Sequence, residues 1–201
     1  MDNMFKNVKS LKSVKMISNS DTSKILSMIS TFEGCENMEI FIIDGFDTRG
    51  LTSLKKLFYK TALNNLSLNI DTSNVEDTSF MFSGTNLREI NLFKYNMSNV
   101  KNMSYMFYLS DSIKINISGI NLSNLYDMSH MFESCDSLNG IDFFDINTKN
   151  IKNMSSLFKN CILLNSIDLN YFDTSTVIDM SNIFDGCNSL KSLRIVLQYK
   201  V

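Results

Sequence analysis

Apolar and polar positions along this chain repeat with a period of 24 to 27 residues, marked by Phe5, Phe32, Phe58, Phe82, Phe107, Phe132, Phe158 and Phe184. Seven residues before the phenylalanine stand Ile25, Leu51, Val75, Val100, Leu125, Ile151 and Val177; four before it stand Met28, Leu54, Thr78, Met103, Met128, Met154 and Met180. One before it come Thr31, Leu57, Met81, Met106, Met131, Leu157 and Ile183. Offsets of −7, −4, −1 and 0 describe one helical face, so the spacing predicts a short helix of about two turns in each unit. Asp77, Asn102, Asp127, Asn153 and Asp179 at offset −5 suit its N-cap, and Gly34, Gly84 and Gly186 suit its stop. Alternating runs follow, Leu87-x-x-Ile90-x-Leu92, Leu138-x-x-Ile141-x-Phe143, Leu164-x-x-Ile167-x-Leu169 and Leu190-x-x-Leu193-x-Ile195. Each predicts a strand with one buried face.

A repeat of this length cannot bury its apolar edge alone and must stack on its neighbours. The expectation is one α/β repeat solenoid over residues 1–201, a right-handed coil with one parallel sheet and short helices on the opposite face. It comprises a partial unit at 1–20 and about seven repeats over 21–201, and reads as a stretch of a longer array or one whose open ends rely on irregular covers. Lys55 replaces the usual serine in the shortest unit, Leu51 to Ile70, where the coil should be distorted. The strongest polar regularity lies at offset −11, where Asp21, Asp47, Asp71, Asn96, Asn121, Asn147 and Asp173 recur without exception. An Asp or Asn at a corner bonds its own backbone two residues on, and stacked corners would form a column tying adjacent coils together. A calcium ladder would need a denser supply of carboxylates than mixed Asp and Asn provide.

Composition narrows the function classes. A formal net charge of −2 leaves no excess of Lys and Arg to neutralise phosphates, which argues against nucleic acid as partner. No apolar run approaches the ~20 residues of a spanning helix, so no membrane insertion by this chain is expected, and the start lacks the basic-then-apolar layout of a signal peptide. Cys35, Cys135, Cys161 and Cys187 each lie three residues after a repeat phenylalanine. They lack the close pairing of a zinc or redox motif and read as a ladder of buried, reduced thiols. Neither cofactor nor metal is expected.

The units Asp71-Thr-Ser-Asn-Val75-Glu-Asp-Thr-Ser-Phe-Met81-Phe82 and Asp173-Thr-Ser-Thr-Val177-Ile-Asp-Met180-Ser181-Asn-Ile-Phe184-Asp-Gly-Cys187 resemble a known repeat. They are similar to the BspA-like leucine-rich surface proteins, in the variant catalogued as a mycoplasma lipoprotein-type repeat of unknown function. The resemblance covers residues 21–201. It implies a leucine-rich-repeat-like solenoid at the cell surface or secreted, adhering to a protein or glycan of a host or neighbouring cell. The units without cysteine and the missing export or anchoring signal depart from that pattern.

No residue set resembles a catalytic constellation, so the chain is not expected to be an enzyme. His130, the one histidine, should face outward, and its neighbour Ser129 belongs to the serine column at −3. Six Asn-x-Ser triplets, at Asn65, Asn96, Asn102, Asn116, Asn121 and Asn153, arise from the repeat grammar, most at corners or caps where a glycan should not fit. The candidate binding surface is the outward side of the strands, where stacking dictates no residue: Glu89, Asn91 and Phe93, then Gly140, Asp142 and Phe144, then Ser166, Asp168 and Asn170, then Ser192, Arg194 and Val196. Phe93 and Phe144 stand out, because a solvated sheet face has no use for them. A structural spacer without any binding site is the alternative.

Overall fold

A computed structural model describes residues 1–110 and 114–198. Every coil stacks on the next through the repeat phenylalanine. The eight rings form one column, with centroids 5.4 to 5.9 Å apart and planes within 15° of parallel. The six inner rings are sealed from solvent, and only Phe5 and Phe184 at the two ends are partly exposed. Parallel rings at this separation are offset-stacked, the arrangement their quadrupoles favour. The methionine and leucine columns at −4 and −1 pack round them, as the periodicity predicts.

Among the described residues seven strands form, all paired in parallel: β1 (Ser13–Ile17), β2 (Ile40–Asp44), β3 (Asn65–Leu68), β4 (Glu89–Asn91), β5 (Lys114–Asn116), β6 (Ser166–Asp168) and β7 (Ser192–Arg194). The expectation of a single sheet is corrected. They make three sheets, β1-β2-β3, β4-β5 and β6-β7, and the Leu138–Phe143 run forms no strand. Gly140 sits where its neighbours carry a side chain, and a strand interior without one packs and pairs weakly. The continuous ladder runs elsewhere, as a single-residue bridge per coil through Ser27, Ser53, Asp77, Asn102, Asp127, Asn153 and Asp179. These are the −5 positions, the expected helix caps.

The short helices are also corrected. The predicted helical stretches are chains of tight turns, and the one helical element among the described residues is the 3₁₀ turn Leu92–Lys94, on the strand side. Around Phe82, the N–H groups of Thr78, Phe80, Phe82 and Gly84 donate to carbonyls of the next coil, while those of Met81 and Ser83 close four-residue β-turns on Thr78 and Phe80. A helix needs all these donors for itself. The backbone confirms the difference: residues at −2 and +2 adopt left-handed φ in all eight units, from Asn3 and Asn7 to Asn182 and Gly186. Turns closed between residues three apart bring every third side chain inward, so offsets of −7, −4 and −1 fit them as well as they fit a helix.

Polar side chains fix the corners. All seven Asx residues at −11 accept the N–H two residues on, at 2.8 to 3.4 Å. They form the expected Asx-turns but do not themselves tie the coils. The threonine that follows does so: Thr22 and Thr48 Oγ1 accept from Asp47 and Asp71 N–H of the next coil, and Thr72 Oγ1 donates to Asn96 O. A second tie is the Nδ2 column of Asn74, Asn99, Asn124 and Asn150, each donating to a carbonyl of the preceding coil.

Candidate binding face

On the outward side of the strands the repeat places a third Asx column, and it orients the aromatics. Asn91 Oδ1 accepts from Phe93 N–H at 3.0 Å, Asp142 Oδ1 from Phe144 N–H at 2.9 Å, and Asp168 Oδ1 from Asn170 N–H at 2.9 Å. Three of the sequence-predicted site residues therefore shape turns, each holding the residue two places on at a fixed angle. Phe93 is 66% and Phe144 55% exposed. Phe93 lies over the next coil at Gly119, where φ is +71° and a Cβ would stand 3.8 Å from Cε2 of the ring. Gly119 N–H in turn donates to Phe144 O at 2.8 Å, so the backbone of one coil separates the two aromatics.

The structure brings Phe144 together with Tyr171, edge to face at 5.2 Å, and Asp168 with Arg194 at 3.5 Å. Glu89 lies opposite Lys114 in the β4–β5 register and both are exposed. Asn170 is exposed beside Tyr171. Phe93 and Phe144 do not touch, standing two coils apart. An open hollow of about 630 Å³ borders Asp142, lined by Lys114, Ile115, Leu138, Asn139 and Gly140 where the strand is lost. Tyr171, about half exposed, was not among the predicted site residues; an aromatic just beyond a strand run was the available signal.

A second surface column went unread. Phe80, Tyr105 and His130 occupy offset −2 in successive coils and stack at 4.4 and 4.3 Å, with planes 6° apart. Lys56 Nζ lies 5.4 Å from the Phe80 ring, and His130 Nδ1 meets Glu133 Oε2 at 2.5 Å. His130 is half-buried in this column, not simply outward. Burial raises the Tyr105 hydroxyl pKa, helped by the carboxylate of Glu133. The rings cover one another's faces, so the column stabilises left-handed backbone and offers a ligand mainly edges.

The four cysteines form no disulfide, and each thiol donates to the carbonyl of the preceding coil's phenylalanine at 3.0 to 3.1 Å. Burial pushes the Cys161 thiol up to about 12 and raises Cys35 and Cys187, the opposite of an activated nucleophile. Among the described residues no group of three or more His, Cys, Asp or Glu is placed to hold a metal, and no helix is long and apolar enough to cross a membrane. Of the Asn-x-Ser triplets, Asn96, Asn116 and Asn121 are exposed, so burial does not close those corners to a glycan; the side chain of Asn65 lies outside the described residues.

Residues 1–119, 40–143 and 127–195 match, in overlapping segments, the family described as "Mycoplasma protein of unknown function, DUF285". Among solved structures, the chain is similar to a leucine rich cell surface protein from Faecalibacterium prausnitzii A2-165. That match has 18% identity and a TM-score of 0.34, over 96% of this chain and 75% of that one. No curated protein matches it.

Proposed function

This chain belongs to the DUF285 family of mycoplasma proteins of unknown function, and from that premise we propose that it is a non-enzymatic interaction module, displayed at the cell surface or secreted. It binds a protein or glycan of a host or neighbouring cell through the outward side of its strands. One observation carries the reading: Phe93, Phe144 and Tyr171 remain about half or more exposed despite their contacts with neighbouring coils, and turn bonds hold Phe93 and Phe144 in place. An aromatic fixed before it binds contributes contact area without first being ordered. The carboxylates and the Arg194 head beside it supply the polar rim. Placement at the surface rests on the similarity of the repeats to BspA-like surface proteins.

The test is a glycan and matrix-protein array probed with the purified chain, then with Phe93→Ser/Phe144→Ser. The double variant should lose attachment to whatever the array identifies while its melting temperature stays close to that of the parent. Binding that survives the double variant, and falls instead with substitutions in the Phe80–Tyr105–His130 column, moves the site to the other flank. A chain that binds nothing on the array supports a spacer.

A further inference from the structure

Asn139-Gly140 is the single Asn-Gly pair in the sequence. Glycine carries no Cβ, so the backbone there turns freely and its nitrogen is open to the side chain that precedes it. The fold leaves that freedom in place. Both residues are exposed, they lie in the run that forms no strand, and Gly140 is not held in the left-handed region. A Cβ built on Gly140 would stand 3.8 Å from Ser166 O, an ordinary contact. Asn139 O accepts from Asn165 N–H at 3.3 Å, a bond that uses the backbone and leaves the side-chain amide to solvent. The two Asp-Gly pairs are built differently. Asp44 ends β2 with its carbonyl accepting from Ser18 N–H at 3.2 Å, and Gly45 has φ +71° and a Cβ position that would strike Ser18 O. Gly186 has φ +74° and lies as tightly against Asn160.

We propose that Asn139 is a site of spontaneous covalent modification, with water as the one co-reactant. The Gly140 backbone nitrogen, its proton taken by hydroxide, attacks Cγ of the Asn139 amide. The N–Cγ bond forms, the Cγ–Nδ2 bond breaks, and the amide nitrogen takes a proton from water and leaves as ammonia, giving a five-membered succinimide. Water then opens the ring. Attack at Cγ breaks the new bond and leaves an α-linked aspartate; attack at the Asn139 backbone carbonyl breaks the original peptide bond and leaves a β-linked isoaspartate. Either route consumes one water, releases one ammonia and changes no oxidation state. The product carboxylate is ionised at neutral pH, and it joins Asp142 on the hollow that Lys114 also lines. The isoaspartate adds a methylene to the main chain at the point where it holds Asn165. This chemistry belongs to the chain alone and stands independently of the binding-face reading.

The test holds the full chain folded at neutral and at mildly alkaline pH, beside a sample unfolded in urea, and follows both by peptide mapping and mass spectrometry. In the folded chain Asn139 should convert ahead of every other asparagine, faster at the higher pH, and at a rate approaching that of the unfolded sample. Both aspartate and isoaspartate should appear. Gly140→Ala, for which the structure has room, should keep the parent's melting curve and lose most of the conversion. Asn139 that stays intact in the folded chain while the unfolded chain converts overturns the proposal. So does conversion undiminished in Gly140→Ala, or isomerisation of Asp44 in the folded chain that keeps pace with Asn139.

Discussion

The ring of Phe132 is covered on one side by Phe107 at 5.8 Å and on the other by Phe158 at 5.4 Å, with Phe143 against its edge. Truncation removes its burial and breaks the column in the middle, where neighbouring coils tied by backbone bonds cannot close the gap. Phe132→Ala should therefore cost about 3–5 kcal/mol in chemical denaturation. The corner carboxylates predict an acid limit. Two bonds from the Arg49 guanidinium and one from its N–H hold the Asp47 carboxyl down to about 2, and turn bonds from Ser23, Ser73 and Ser181 lower Asp21, Asp71 and Asp179. A depressed folded-state pKa contributes stability that is complete above the unfolded value and lost as pH falls through the folded one. Stability should hold level above about pH 5 and decline between about pH 4 and pH 2. Asp47→Asn, which keeps the turn acceptor, should flatten that decline; an unchanged acid titration counts against the assignment. Both the anchor and the corner residues could be read from the chain, because each recurs with one chemistry at one offset.

At the scale of the element, the left-handed positions make a prediction about what the backbone costs. In an exposed helix Gly→Ala gains about 0.5–1 kcal/mol; at a positive φ it loses about as much or more. Gly84 has φ +65° and room for a methyl group, its nearest neighbour being Lys60 Cγ at 3.7 Å, so Gly84→Ala isolates the backbone cost. It should destabilise by about 1 kcal/mol, and Gly186→Ala, whose Cβ would strike Asn160 Oδ1, should add a clash to the same strain. Thermal or chemical melting of the two variants decides it. Side-chain periodicity did not reveal this element, because a spacing of three serves tight turns and helices alike, and residues such as Lys56 and Tyr105 at −2 give no hint of positive φ. The glycines at +2 did carry the signal, but a helix stop explains them equally well. The break in the sheet at Gly140 was legible only as one weak residue in an otherwise regular run. Of the site, the exposed aromatics could be read directly. The turn-forming duty of Asn91, Asp142 and Asp168 could not, since it depends on where each strand ends.

For the whole molecule, each coil meets only its two neighbours, so the fold should tolerate loss of a coil but not of a fraction of one. Removing residues 96–120 takes out one period, from one corner Asx to the residue before the next. Tyr95 is then followed by Asn121, which resembles Asn96 in type, corner position and Asx-turn. Phe82 gains Phe132 as its neighbour in the column, the bridge passes from Asp77 to Asp127, and Met131 O stands where Met106 O accepted from Phe82 N–H. The bonds of the ring column, the corners and the bridge ladder each have a replacement of the same kind, while the β4–β5 pairing is lost because Leu138–Phe143 forms no strand, so this variant should melt in a single transition, lowered by that pairing and the coil it lost. Removing residues 96–107 alone takes a similar part of the core but leaves strand β5 without its turns and shifts all later coils out of register. That shorter deletion should abolish cooperative melting. Circular dichroism melts of the two decide the point: if the half-period variant is the more stable, the coils are not interchangeable units and the nearest-neighbour account of this fold fails.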